Sequence, residues 1–188
     1  MLAYVFWHWP QTGVDAEAYV DHLSTFHRTL NANKPAGFTG SRVFRIHGVS
    51  WLDTTGDAYE DWYLIDDSAA LDRISEAAVS GVCEAPHNLV AREAAGGTAG
   101  LYRLKSGDYV AEPRFALWLS KPDGVSYADF YSRLEPIVKG ALWGRQLTLG
   151  PTSEFVIHST TPILELPEDW TASQLLALQS VGSDQSRP

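Results

Sequence analysis

The stretch "YVFWHWPQTGVDAEAYVDHL", residues 4–23, holds the pattern that decides the fold. Residues 3–9 alternate with period two, as a half-buried strand does. "PQTGVD" then supplies a Pro/Gly turn, with Asp15 placed to cap a helix over about residues 15–30. That helix has an apolar stripe of Ala16, Tyr19, Val20, Leu23, Phe26 and Leu30. The same pattern returns downstream. Residues 3–30 align without a gap on "RFALWLSKPDGVSYADFYSRLEPIVKGA", residues 114–141. Trp7 meets Trp118, Gly13-Val14 meets Gly124-Val125, Tyr19 meets Phe130 and Leu23 meets Leu134. After a shortened connection, "GSRVFRI" (40–46) lies against "WGRQLTL" (143–149), with Arg42 on Arg145. Two matches in the same order indicate an internal duplication.

The remaining elements follow the same logic. Strands are expected near 39–47 and 59–65, helices at 68–79 and 86–94, and a strand at 101–105. This is the β-α-β-β-α-β order of a ferredoxin-like unit. The second copy keeps a strand at 114–120, a helix at 126–138 and strands near 143–149 and 153–159. "STTP" then runs directly into "ILELP", so its second helix is missing or shortened, and "EDWTASQLLALQSV" (168–181) reads as a C-terminal helix. The expected fold class is therefore α+β. Two ferredoxin-like units, 1–107 and 112–182, stand in tandem, followed by a disordered tail at 183–188.

Composition narrows the function. A formal charge of −9 and no basic cluster argue against nucleic acid. No apolar run is long enough to span a membrane, and the N-terminus has no basic, signal-like start. Cys83 is the sole cysteine, read as a buried thiol, and together these features lead us to expect a cytoplasmic protein. Cys83 and His87 lack a third partner and Pro86 lies between them, so no metal site is expected. No HExxH, phosphate loop or dinucleotide fingerprint is present. Seven Trp, eight Tyr and seven Phe are more aromatic surface than such a core needs, which suits a pocket for a flat apolar molecule.

Within the first copy, "AYVDHLSTFHRTLNANKPAGFTGSRVFRI" (18–46) and "DWYLIDDSAALDRI" (61–74) resemble the EthD-like branch of the dimeric α/β-barrel superfamily. The resemblance covers most of residues 3–105, and the second half more weakly. It implies that the two units set their antiparallel sheets face to face as one intrachain α/β barrel around a pocket, and it implies the cofactor-free cyclisation, isomerisation, lyase or oxygenation chemistry of that superfamily. It also implies a role as acid/base or substrate anchor for His27, whose counterpart in the second copy is Val138.

Strand parity sorts the candidates. Tyr4, Phe6 and His8 are expected under the helices, with Val5, Trp7 and Trp9 on the opposite face. Phe44, Ile46, Trp62 and Leu64 read as helix-side core. Their alternates join the pocket face, which gathers Trp7, Trp9, Arg45, His47, Asp61, Tyr63, Trp118, Thr148, Glu154 and His158. His27, His47, Asp61 and Tyr63 are the catalytic candidates: a His moves a proton, while Asp61 or Tyr63 orients it or steadies an oxyanion. Trp7, Trp9, Arg45, Trp118 and His158 are the substrate-binding candidates. The function expected first is a cofactor-independent enzyme on an aromatic or polyketide-like molecule. A non-catalytic binding protein and a barrel holding haem through His27, His47 or His158 are the alternatives. A monomer suffices if both halves close one barrel, and an exposed edge would make a homodimer.

Overall fold

The computed structural model describes residues 1–148, 150–170 and 173–182, so the expected tail at 183–188 lies outside the described residues. The first half runs β1 (Leu2–Pro10), α1 (Ala16–Asn33), β2 (Phe38–His47), β3 (Asp57–Ile65), α2 (Ala69–Ala78), α3 (Gly81–Glu93) and β4 (Ala94–Ser106). The second runs β5 (Phe115–Leu119), α4 (Tyr127–Leu134), β6 (Ala141–Thr148), β7 (Phe155–Ser159), β8 (Gln174–Ala177) and β9 (Gln179–Ser180). α1 begins where Asp15 accepts the Ala18 N–H at 2.8 Å, and ends at Lys34 in the left-handed region, just before Pro35. α4 is shorter than expected, because Pro136 has no N–H to carry the helix beyond its last turn.

All nine strands form one antiparallel sheet in the order β8-β5-β7-β6-β4-β1-β3-β2-β9. Each half contributes four strands with its first strand beside its third and fourth, consistent with tandem ferredoxin-like units. The sheet curls into a nearly closed barrel. The C-terminal segment forms the seam: β8 pairs with β5 at one edge and β9 with β2 at the other. Between and beyond them, the Leu178 N–H reaches Arg114 O at 2.8 Å and the Val181 N–H reaches Val43 O at 3.0 Å. The helix expected over 168–181 is thus replaced by strands at 174–177 and 179–180. The cause is tertiary, since two open sheet edges offer backbone partners that an isolated helix would not satisfy.

Strand β4 also begins earlier than expected, at Ala94 instead of residue 101. Its glycines fit where they stand. A Cβ on Gly97 would come within 2.5 Å of the Phe6 ring, and one on Gly100 within 2.7 Å of the Tyr102 ring. Aromatic side chains lie across these bare backbone positions.

Three apolar layers result. The barrel interior holds Val5, Trp7, Phe44, Ile46, Trp62, Leu64, Tyr102, Trp118, Trp143 and Val156, drawn from both halves. A second core lies between the first half's outer sheet face and its helices, around Tyr19, Leu23, Phe26, Tyr59, Tyr63 and Cys83. A third joins α4 to Leu117, Phe155, Ile157 and Trp170. The expected faces of β1 hold, since the register shift beside Pro10 falls after Trp9. Those of β2 and β3 are reversed. Phe44, Ile46, Trp62 and Leu64 point into the barrel, while Val43 and Tyr63 belong to the helix-side core. Pairing requires it: Val5 stands opposite Trp62 and Phe6 opposite Asp61, and directly paired residues share a face.

Candidate functional site

Strand β3 is buried from Ala58 to Ile65 and carries two adjacent carboxylates, Glu60 and Asp61. Alternation sends one to each side of the sheet. Both are removed from water, so each must be paired or neutralised.

On the helix side, Asp61 stands between two histidines. Its Oδ1 lies 3.2 Å from His8 Nε2, and its Oδ2 lies 3.2 Å from His27 Nε2. Tyr63 donates its hydroxyl to Oδ2 at 2.9 Å. The second nitrogens are also engaged: His8 Nδ1 with the Tyr19 hydroxyl at 2.7 Å, and His27 Nδ1 with Ser41 Oγ at 2.7 Å. The His8–Asp61 pair is at ion-pair distance without hydrogen-bond alignment. Burial pushes the Asp61 carboxyl up, but the charges and hydrogen bonds of His8 and His27 outweigh it and hold the group below the usual carboxylate range. Burial beside this carboxylate raises the Tyr63 and Tyr19 phenols well above their ordinary value, so they act here as O–H donors.

The network touches two separate cavities. His8 lines one of about 340 Å³ between β1, β4 and helices α1 and α3, whose walls include Phe6, Phe26, His87, Val90 and Gly96. Phe6 stacks on His8 with ring centroids 5.3 Å apart, and Tyr59 stacks on it at 5.7 Å. The imidazole is therefore held flat between aromatic rings at the side of a mostly apolar cavity. His27 lines a smaller cavity of about 120 Å³ between α1, β2 and the segment after β9.

Inside the barrel, Glu60 accepts the indole N–H groups of Trp7 at 2.8 Å and Trp62 at 2.6 Å. Burial raises its carboxyl to about 7, although the Trp62, Trp7 and Trp118 N–H groups favour the anion. His158 sits nearby, its ring 4.3 Å from that of Trp62, and burial lowers it to about 3. This interior is packed with rings. Trp7, Trp62, Trp118 and Trp143 are all fully buried and meet at centroid distances of 5.2–6.4 Å.

The structure thus divides the residues singled out from the sequence. His27, Asp61 and Tyr63 come together, and His8, expected beneath the helices, joins them. Trp7, Trp118 and His158 face the barrel interior, on the other side of the sheet, and Trp9 packs against that core. Arg45 lies on the outer face, its Nε 3.2 Å from Asp57 and its Nη2 3.4 Å from the Tyr59 hydroxyl. His47 is exposed at its strand end beside Asp57. Thr148 and Glu154 spend their side chains on local structure, Thr148 on Gly150 O and Glu154 on Lys121 N and the Tyr127 hydroxyl. Tyr19, Ser41 and Glu60 escaped the sequence reading. The signal for Glu60 was available: consecutive acids in a fully buried central strand must serve two layers.

The three imidazoles considered for haem do not fit one. His27 has both nitrogens engaged and faces a cavity of about 120 Å³, room for about four waters. His158 is enclosed among indoles, and His47 lies outside any described cavity wall.

No family model matches the chain, and no curated protein does. Solved structures share its fold. An anthrone oxidase-like protein is 10% identical with a TM-score of 0.50, covering 96% of this chain and 91% of its own. A "putative monooxygenase" from Lactobacillus acidophilus NCFM is 11% identical with a TM-score of 0.52, covering 95% of this chain and 93% of its own. Both are similar in fold to this chain, an α+β barrel of antiparallel strands.

Proposed function

We infer that the protein is a cofactor-independent enzyme that removes a proton from a flat, hydrophobic, weakly acidic molecule bound beside His8. The observation carrying this reading is the His8–Asp61 pair, with the imidazole opening on an apolar cavity of about 340 Å³ and the carboxylate behind it. The Tyr19 hydroxyl donates to Nδ1 and so keeps it as the acceptor, and Asp61, 3.2 Å from Nε2, stabilises the imidazolium that forms. In the free protein Nδ1 holds the Tyr19 hydroxyl, and the acidic proton of the substrate takes that place. Phe6 and Phe26 hold the ring system.

The names borne by two structures of the same fold support an oxygen step after deprotonation. An activated methylene would lose its proton to His8 and the resulting carbanion would reduce O2. One oxygen atom ends as the new carbonyl and the other, with the two hydrogens, leaves as water. O2 is the oxidant and takes four electrons: the carbanion pair forms the C–O bond of a hydroperoxide, and the second C–H pair becomes the carbonyl bond as the O–O bond breaks and water leaves.

The test is oxygen uptake and product analysis with anthrone-type and related phenolic compounds. His8→Gln is expected to lower kcat by about 10²- to 10⁴-fold while the fold persists. Tyr19→Phe, which frees Nδ1, is expected to keep or raise activity, and His47→Ala to leave it unchanged. The competing reading is a carrier, favoured by the fact that His8 Nδ1 is already held by the Tyr19 hydroxyl. Tight binding without turnover, equal in wild type and His8→Gln, would establish the carrier instead.

A further inference from the structure

The smaller cavity differs in character from the one beside His8. Its wall holds His27, Arg28, Asn31, Ser41, Arg42 and Ser24, and among the described residues no Asp or Glu lines it. Two arginines, Arg28 and Arg42, line it in a chain whose formal charge is −9, and Arg28 Nη2 donates to Thr25 Oγ1 at 3.1 Å. His27 and Ser24 are both more than nine-tenths buried, so the floor is built from the protein interior. Backbone order supports it, since the Ser41 N–H is held by Asn31 Oδ1 at 2.8 Å. At about 120 Å³, the space has room for a compact ion with little water.

We propose that this cavity binds a small oxyanion, such as phosphate or a short carboxylate, and that its occupancy is felt at His8 through Asp61. The anion site is independent of the catalytic reading; the coupling to His8 concerns the residue on which that reading rests. Arg28 and Arg42 supply the charge and fork geometry that oxyanions require. His27 is the link. It contacts Ser41 in the cavity wall and Asp61 at 3.2 Å, and Asp61 reaches His8 at 3.2 Å on its other oxygen. An anion beside His27 favours the proton on that ring, which leaves His8 as the neutral acceptor.

Long-range 1H–15N NMR of the imidazoles in the full chain, without substrate, tests both parts. Sodium phosphate, and in a second series sodium acetate, is added at fixed pH and ionic strength. Saturable shifts are expected at His27 and, with the same midpoint, at His8, while His47 and His22 stay in place. Arg28→Ala combined with Arg42→Ala, both at exposed positions, is expected to weaken binding by about tenfold or more. Asp61→Asn is expected to keep the His27 shift and lose the one at His8. Absence of a saturable shift, or one indifferent to loss of both arginines, overturns the site. A His8 shift with a different midpoint, or one that survives Asp61→Asn, overturns the coupling. None of these readings uses turnover, so they stand or fall apart from the proposed activity.

Discussion

Glu60 and Asp61 are neighbours in one strand with opposite electrostatic fates, set by what each layer offers them. Asp61 meets two imidazoles and a phenol, and stays charged. Glu60 meets indole N–H groups, which are donors without formal charge, and its carboxyl rises to about 7. The signs for stability therefore differ. A raised folded value means that Glu60 binds its proton more tightly folded than unfolded. Its contribution is complete below about 4.5 and is lost as pH rises toward 7, on the order of 3 kcal/mol in all. Asp61, held low, contributes above the ordinary carboxylate range, and that stability is lost as the medium turns acid. Chemical denaturation at a series of pH values is expected to show wild-type stability declining between pH 4.5 and 7. Glu60→Gln, which keeps an acceptor for the indoles, is expected to flatten that decline and leave the acid limb intact. An unchanged slope in Glu60→Gln would place the decline elsewhere.

At the scale of elements, legibility differed from strand to strand. Strand β1 could be sorted because its pattern repeats in β5, where the apolar and polar positions differ between copies. Strand β3 could not. With Ala58 to Ile65 all buried, alternation has no wet face to announce itself, and polar side chains were assigned to a pocket. They are satisfied instead by one another and by α1, which sends Tyr19 and His27 down to the same carboxylate network. That pairing is long-range and leaves no local trace. The C-terminal segment was misread for a related reason, because its fate depends on the edges it meets. Leu176 is its buried anchor in the barrel. Leu176→Ala is expected to cost about 2–5 kcal/mol and to lower the thermal midpoint. A loss below about 0.5 kcal/mol, the level of an ordinary surface change, would mean that the seam does not hold the barrel shut.

For the whole molecule, the duplication makes two halves that neither sequence copy completes alone. Trp7 and Trp62 from the first half pack on Trp118 and Trp143 from the second, inside one barrel. Residues 1–107 and 112–182, produced separately, are each expected to lack a fixed near-ultraviolet circular dichroism signal, and to recover it on mixing. Two independently folded halves would contradict the shared core. The repeat thus pointed to two similar halves, while the asymmetry between them lies at the positions where the copies differ. His8 faces Leu119 in the alignment and His27 faces Val138, so only the first half's outer face carries the charged network. Under the proposed function, ligand binds there, under α1 and α3, and not among the interior tryptophans. The most direct measurement is a crystal structure with a bound anthrone-type compound. The expected result places the ring system between Phe6 and Phe26, with its acidic position within hydrogen-bond reach of His8. A ligand seated inside the barrel, with the indoles displaced to admit it, would contradict the account.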